Sequence, residues 1–256
     1  MKPALRDNHP AVPSGWHCFR QGHALASALE QELEPWLQKI FGYYLLKIGD
    51  LSSQLSLPSA RLRQQLTLGS AEGQAELPTG AKMIAEPDAL PIAAASVDAV
   101  LLSHCLEFQS DPHHVIREAH RVLIGDGYLL LSGFNPHSVV GLTRFAPWLK
   151  NEFPWQGHFF SAARIKDWLH LIGFEVVGEQ RFFCSSMLSP DYKAGRWQRF
   201  SERHLRYFAS SYLLVARKRE LPLTPIRPKW QVQTGFSTAQ GISARHGAQR
   251  KSIKSS

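Results

Sequence analysis

The sequence predicts an α/β fold, a mostly parallel sheet with helices on both faces, and three stretches carry that prediction. Ser96 to Pro136 reads as strand, turn, helix, turn, strand. His23 to Gly49 reads as an amphipathic helix followed by a strand that ends on glycine. Ser161 to Val177 reads as a capped helix and the strand after it. Helices that alternate with short apolar runs are the pattern of crossovers between parallel strands.

Residues 1 to 22 are rich in Pro, His and Gly, show no period, and read as irregular. Leu25, Leu29, Leu33, Leu37 and Phe41 then recur every four residues, with Pro35 placed to break or kink that helix. Tyr43 to Ile48 is the first strand and Gly49 ends it. A parallel crossover needs roughly a dozen residues, normally helical, but Asp50 to Ser59 holds Pro58 and several serines, so a full helix is not expected there. Leu62, Leu66 and Leu68 fall on alternate positions and predict the second strand. Ser70 to Thr79 contains Gly73 and Pro78 and again lacks a helical pattern, and Ala81 to Ala85 is a brief third strand.

Val97 to Leu102, interrupted only by Asp98, has the length of a buried central strand. Asp111 caps the next helix, Pro112 occupies its first position, and Val115, Ile116, Ala119, Val122 and Leu123 form its apolar stripe. Gly125, Asp126 and Gly127 are expected to stop that helix before the strand Tyr128 to Leu131. The aromatic segment Ser138 to Phe160 packs or covers a pocket. Ser161 caps the last helix, Gly173 ends it, Phe174 to Val177 is a strand, and Tyr212 to Ala216 is the final apolar run. The organisation is therefore an N-terminal extension (1–42), a sheet domain (43–219) and a basic tail (220–256) whose composition predicts disorder.

The chain has 256 residues, 44% of them hydrophobic, enough for a substantial core. No early apolar run resembles a signal peptide and none nears the roughly 20 residues of a membrane span, so a cytoplasmic protein is expected. Cys18, Cys105 and Cys184 are scattered, without metal or CxxC spacing. The net charge of +8 is concentrated: residues 221 to 256 hold six of the 29 bases and no acid. A weak nucleic-acid contact through that tail would show as a steep loss of binding with salt.

Several phrases resemble the class I S-adenosylmethionine-dependent methyltransferases, in particular the ubiquinone and menaquinone C-methyltransferase subgroup. These are Glu86 followed by Ala89-Leu90-Pro91-Ile92, then Ser96-Val97-Asp98 and Val100, Asp111-Pro112, Glu118 with Arg121-Val122-Leu123, and the glycines at 125 and 127. The phrases containing Gly173-Phe174 and Tyr212 to Lys218 are similar to that family's last two strands. LLSHCL, DPHH, REAHRVLI and DGYLLLSGFNP resemble, more closely still, the YafS type of bacterial methyltransferase-like proteins.

The resemblance implies a Rossmann-like class I methyltransferase fold with a seven-strand-type sheet, its first two crossover helices shortened or absent. It implies S-adenosylmethionine as cofactor. Gly49 would stand in the glycine-rich turn, Glu86 would meet the adenine, Asp88, Ala89 and Leu90 would flank it, and Ser103 and His104 would approach the methionine part. Glu107, Asn135, His137 and Arg144 are candidates on the substrate side. No catalytic residue is assigned, and the spacing of His114 and Glu118 is not read as a metal site. The substrate, small molecule or macromolecule, is unknown.

The family's turn reads D/E-x-G-x-G-x-G, whereas Lys47, Gly49, Leu51 and Ser53 stand here, and Gly69 and Ser70 replace the acid after strand two, with Glu72 nearby. These departures motivate an alternative, a methyltransferase-like scaffold that binds a protein or nucleic acid without catalysis. The first strand is not followed by G-x-G-x-x-G, which sets aside a nicotinamide-dependent reductase.

Overall fold

Seven strands form one sheet in the order β3-β2-β1-β4-β5-β7-β6. The strands are β1 (Gly42–Ile48), β2 (Leu62–Gly69), β3 (Ala81–Ile84), β4 (Val97–Ser103), β5 (Leu123–Phe134), β6 (Phe174–Phe182) and β7 (Ser211–Lys218). Strands β1 to β5 pair in parallel, and β7 runs antiparallel between β5 and β6. The computed structural model describes residues 11–70, 81–143, 149, 152–185, 187–188 and 208–220.

Alternation along the central strands divides the interior in two. Leu45, Ala99, Leu101, Leu130, Leu213 and Val215 face one core, while Leu46, Ile48, Val100, Leu102, Leu129 and Leu131 face the other. Helix α1 (Gly22–Leu37) covers the first face with Leu25, Leu29, Leu33 and Leu37, all fully buried. It is thus part of the domain's core, although the sequence sets it apart as an extension. Its last turn reaches β6, where the Trp36 indole N–H donates to Gln180 Oε1 at 3.0 Å and the ring lies directly over Gly178, leaving no room for a Cβ. Helix α3 (Pro112–Val122) and helix α5 (Ala162–Ile172) cover the second face.

The described residues also hold two short α-helices, α2 (Asp50–Ser53) and α4 (Val139–Thr143). The four residues of α2 are all the helix that the connection from β1 to β2 contains, as the serines and Pro58 foreshadow. Caps are as the sequence indicates. The Asp111 side chain accepts from the His114 N–H, Ser161 from Arg164, and Gly173 adopts the left-handed conformation that ends α5.

Four expectations are corrected. Pro35 does not break α1, because it lies two residues from the end, where its missing N–H removes a single helical bond. Phe41 lies outside the helix and is exposed beneath the Arg61 guanidinium, so it is not part of the apolar stripe. The helix α3 ends at Val122, before Gly125, and β5 begins at once. Residues Gly125 to Gly127 fall within an irregularity where Val97 pairs with Leu123 but Ala99 with Tyr128, and Asp126 takes φ +63°. Strand β6 also runs on to Phe182, since one side of an edge strand tolerates the polar residues Glu179 to Arg181. Asp98, the polar interruption in β4, accepts the N–H groups of Tyr43 and Tyr44 at 2.9 Å each and so anchors the start of β1.

The E-x-x-R phrase of α3 has a structural task. Arg121 donates to the carbonyls of Leu90 and Ile92 at 3.0 and 2.8 Å and pairs with Glu118, which accepts the Leu90 N–H. Its guanidinium, by hydrogen bonding, holds the Glu118 carboxyl below its ordinary range. This clamp fixes the loop between β3 and β4. Arg121→Lys keeps the charge but cannot serve both carbonyls and the carboxylate at once, so urea unfolding is expected to show a loss of about 1–2 kcal/mol.

Candidate functional site

The strand order reverses between β1 and β4, and in open parallel sheets ligands bind beyond the carboxyl ends at such a point. A cleft of about 140 Å³ lies there. Its wall includes Gly49 and Asp50 after β1, Ser70 after β2, Ala85 and Glu86 after β3, and Ser103, His104 and Cys105 at the end of β4.

Gly49 has φ +88°, which glycine adopts freely and L side chains rarely do. Its N–H donates to the Leu68 carbonyl at 2.7 Å, and the chain turns directly into α2. Asp50, beside it, is a site residue that the sequence did not single out. This buried carboxylate accepts the Ser70 N–H at 2.8 Å and the Ser70 hydroxyl at 2.6 Å, so an acid from the end of β1 lies against the end of β2. A lone acid beside Gly49 was the available signal, hidden because it lies one residue after the glycine. Next along α2, the Ser52 hydroxyl accepts the Ser103 N–H at 2.7 Å and ties the short helix to β4.

Lys47 is not among the residues lining the cleft. Its side chain is buried and Nζ donates to the Leu55 carbonyl at 2.8 Å. Burial lowers its pKa to about 8, against the opposing attraction of Glu30. The electrostatic conflict between this ammonium and a cationic ligand is therefore not built into the cleft wall.

The N-terminal segment, irregular by sequence, forms the outer wall through Val12 and Pro13. It is fastened to the α2 region. The Trp16 indole donates to Leu51 O at 3.0 Å, Trp16 N–H donates to Gln54 Oε1 at 3.1 Å, and the Gln54 amide donates to Ser14 O at 3.1 Å.

His104 has φ +47° and is wholly buried. Its Nδ1 lies 3.6 Å from Glu107 Oε1, and Glu107 Oε1 accepts the Phe134 N–H at 2.8 Å. Among the described residues, both ring nitrogens of His104, Glu107 Oε2 and the hydroxyl of Ser103 have no hydrogen-bond partner. Buried polar atoms left this way are costly.

The structure thus brings Gly49, Glu86, Ser103 and His104 together in one cleft. Asp88, Ala89 and Leu90 are not in its wall, and Leu90 is turned into the second core with its backbone held by Glu118 and Arg121. Asn135 is buried away from the cleft, donating to Ala209 O and accepting the His137 N–H, while His137 is exposed. Arg144 and Glu72 lie outside the described residues, as do Phe145 and Trp148 of the aromatic segment. No group of three or more His, Cys, Asp or Glu able to hold a metal occurs among the described residues. Nor is any described helix long and apolar enough to cross a membrane.

Over 244 residues, 95% of this chain and 96% of its relative, the sequence is 38% identical to the uncharacterized protein YafS of Escherichia coli K12. The chain belongs to the family of YafS, and it carries a match, at residues 64–131, to a family described as a methyltransferase domain. The crystal structure of an S-adenosylmethionine-dependent methyltransferase from Thermotoga maritima is 19% identical, with a TM-score of 0.57, covering 80% of this chain and all of that one. The [4+2]-cyclase SpnF is 17% identical with a TM-score of 0.53, covering 84% of this chain and 85% of the other. The solved structures share this fold while their named reactions differ, so the fold alone does not fix the chemistry.

The cofactor implied by the methyltransferase-domain match is S-adenosylmethionine. The cleft chemistry fits this group. It offers two carboxylates, Asp50 and Glu86, to a ligand carrying cationic and hydroxyl groups, and an open backbone turn at Gly49.

Proposed function

We propose that this protein transfers a methyl group from S-adenosylmethionine to an acceptor that remains to be identified. The observation that supports this reading best is the cleft at the β1/β4 switch point, with Gly49, Asp50 and Glu86 on the loops that follow the strands. In this reading Asp50 holds the hydroxyls or the amine of the bound cofactor, Glu86 receives its adenine end, and the backbone at Gly49 and Ser103 lies against its amino-acid part. When bound, the cofactor supplies an electrophilic methyl group on a sulfonium. The protein's share is to orient it and keep water away.

The cleft volume of about 140 Å³ is smaller than the ~300 Å³ at the lower end for sites of drug-sized ligands. Calorimetric titration with S-adenosylmethionine and with its demethylated product is expected to give saturable heat with dissociation constants of roughly 1–100 μM. A folded sample that gives no heat with either ligand at about 1 mM overturns the proposal.

A further inference from the structure

We infer that the sheet edge opposite the cleft, where β1 and β2 begin, is a binding surface for single-stranded RNA. Phe41, Tyr43 and Tyr44 receive unpaired bases, and Arg61 and Arg63 receive phosphates.

Single apolar side chains at a surface are ordinary, but a contiguous cluster marks an interaction site. Phe41 is 67% exposed, Tyr43 61% and Tyr44 40%, and among the described residues the other exposed Phe, Tyr or Trp is Phe208. Three of these four rings therefore fall within four positions of the chain. Strand pairing supplies their neighbours. Gly42 pairs with Leu62 and Tyr44 with Gln64, so β2 sets Arg61 and Arg63 beside Phe41 and Tyr43. The Arg61 guanidinium lies 5.1 Å from the centre of the Phe41 ring, the Arg63 guanidinium 5.7 Å from that of Tyr43, and the two tyrosine rings are 6.5 Å apart.

The local charge is positive. Both arginines are exposed, and residues 35–48 and 57–70 contain no acid. An acid does reach this edge from β4, but Asp98 is engaged there by the N–H groups of Tyr43 and Tyr44. The chain also leaves the sheet at this level. Leu45 pairs with Ala99, Ala99 with Tyr128, and Tyr128 with Arg217 near the end of antiparallel β7, so the sequence beyond Glu220, with six bases and no acid, is tethered to the same edge.

The combination of rings and cations selects the partner. A guanidinium lying against a ring can still donate to a phosphate, and exposed rings offer flat faces on which bases stack. An acidic protein segment would satisfy the arginines and leave the rings without a matching surface. A duplex would present phosphates but keep its bases stacked on each other. A single strand uses both features. The phenols of Tyr43 and Tyr44 and the amide of exposed Gln64 supply donors and acceptors suited to the ribose 2′-hydroxyl, which favours RNA over DNA. Tyr43 and the cleft residue Gly49 stand at opposite ends of β1, roughly 20 Å apart at the rise of a strand, so this surface is distinct from the cleft and does not depend on a cofactor.

The test is fluorescence anisotropy of a labelled oligouridylate of about 15 nucleotides with full-length protein, no cofactor present, at about 50 and 200 mM salt. Saturable binding is expected at the lower salt with a dissociation constant of roughly 1–10 μM. Arg61→Gln combined with Arg63→Gln is expected to weaken it about tenfold or more and to reduce the slope of log affinity against log salt by about 1.4, two phosphate contacts at ~0.7 each. Phe41→Leu combined with Tyr43→Leu is expected to weaken it about tenfold at unchanged slope, because leucine keeps apolar surface but offers no flat face. All four side chains are exposed, so both variants are expected to keep wild-type unfolding midpoints; if one does not, the other decides. Binding that neither variant alters belongs to the tail and overturns the inference. So does absence of wild-type binding at about 100 μM protein. A duplex that binds as tightly, or polyglutamate that displaces the RNA at equal charge, overturns it as well. Equal affinity for the deoxyuridylate of the same length overturns the assignment to RNA.

Discussion

Asp50→Asn is expected to weaken S-adenosylmethionine binding at least tenfold while costing less than about 1 kcal/mol of stability, whereas Asp50→Ala is expected to lose both. The distinction follows from the two tasks of one carboxylate. As scaffold, it accepts the Ser70 N–H and the Ser70 hydroxyl and holds the end of β2 against α2. An asparagine keeps the carbonyl for the N–H, and the Ser70 hydroxyl can turn to accept from the new amide, so the scaffold survives. As charge, the carboxylate is one of two acids in the cleft wall among the described residues, and the amide cannot replace its attraction for a cationic ligand. Alanine removes both acceptors and leaves a backbone donor without its partner, at roughly 1–3 kcal/mol. Urea unfolding and calorimetric titration on the same samples separate the two effects. Equal cofactor affinity in Asp50→Asn and wild type would remove Asp50 from the binding site.

The same residue shows what the sequence could and could not reveal. The fold was legible because local chemistry and periodicity agree. Asp111 and Ser161 cap where their side chains can reach an exposed N–H, Gly173 ends a helix, and the apolar runs at 97–102 and 212–216 are buried in the sheet. Gly49 was legible for a related reason, since a strand that stops on glycine marks a sharp turn of the backbone. Asp50 was not, because its partner Ser70 is twenty positions away and only the pairing of β1 with β2 brings them together.

The N-terminal segment escaped notice for a different reason. Trp16 and Phe19 are core residues without a period, and Trp16 is held by contacts with Leu51, Gln54 and His104 that no window of sequence contains. Likewise Leu90, placed by resemblance beside a ligand, belongs to the core because Arg121 and Glu118 grip its backbone. A sequence phrase shared with a family shows that a loop is fixed in shape, but tertiary contacts decide which of its side chains point outward.

Lys47 carries the remaining large effect, on stability and not on binding. Its ammonium is buried with one carbonyl partner, and desolvation lowers its pKa from 10.5 to about 8 even though Glu30 pulls the other way. Below pH 8 the lysine is charged in both states, and the folded protein bears the full cost of keeping that charge dry. As pH rises past 8 the folded state releases the proton while the unfolded chain retains it up to about 10.5, so unfolding takes up a proton and stability climbs. The climb amounts to on the order of 3 kcal/mol and levels off above 10.5. Lys47→Met, of similar length and without charge, is expected to lack this component, so the difference in unfolding free energy between variant and wild type changes by that amount between pH 8 and 10.5. Because Lys47 is not in the cleft wall, S-adenosylmethionine affinity at pH 7 should stay within about twofold of wild type. A parallel pair of stability curves would show that the side chain is not buried as a charge. A marked gain in cofactor affinity in the methionine variant would place the ammonium in the site after all, and would revive the reading of this chain as a methyltransferase fold turned to binding.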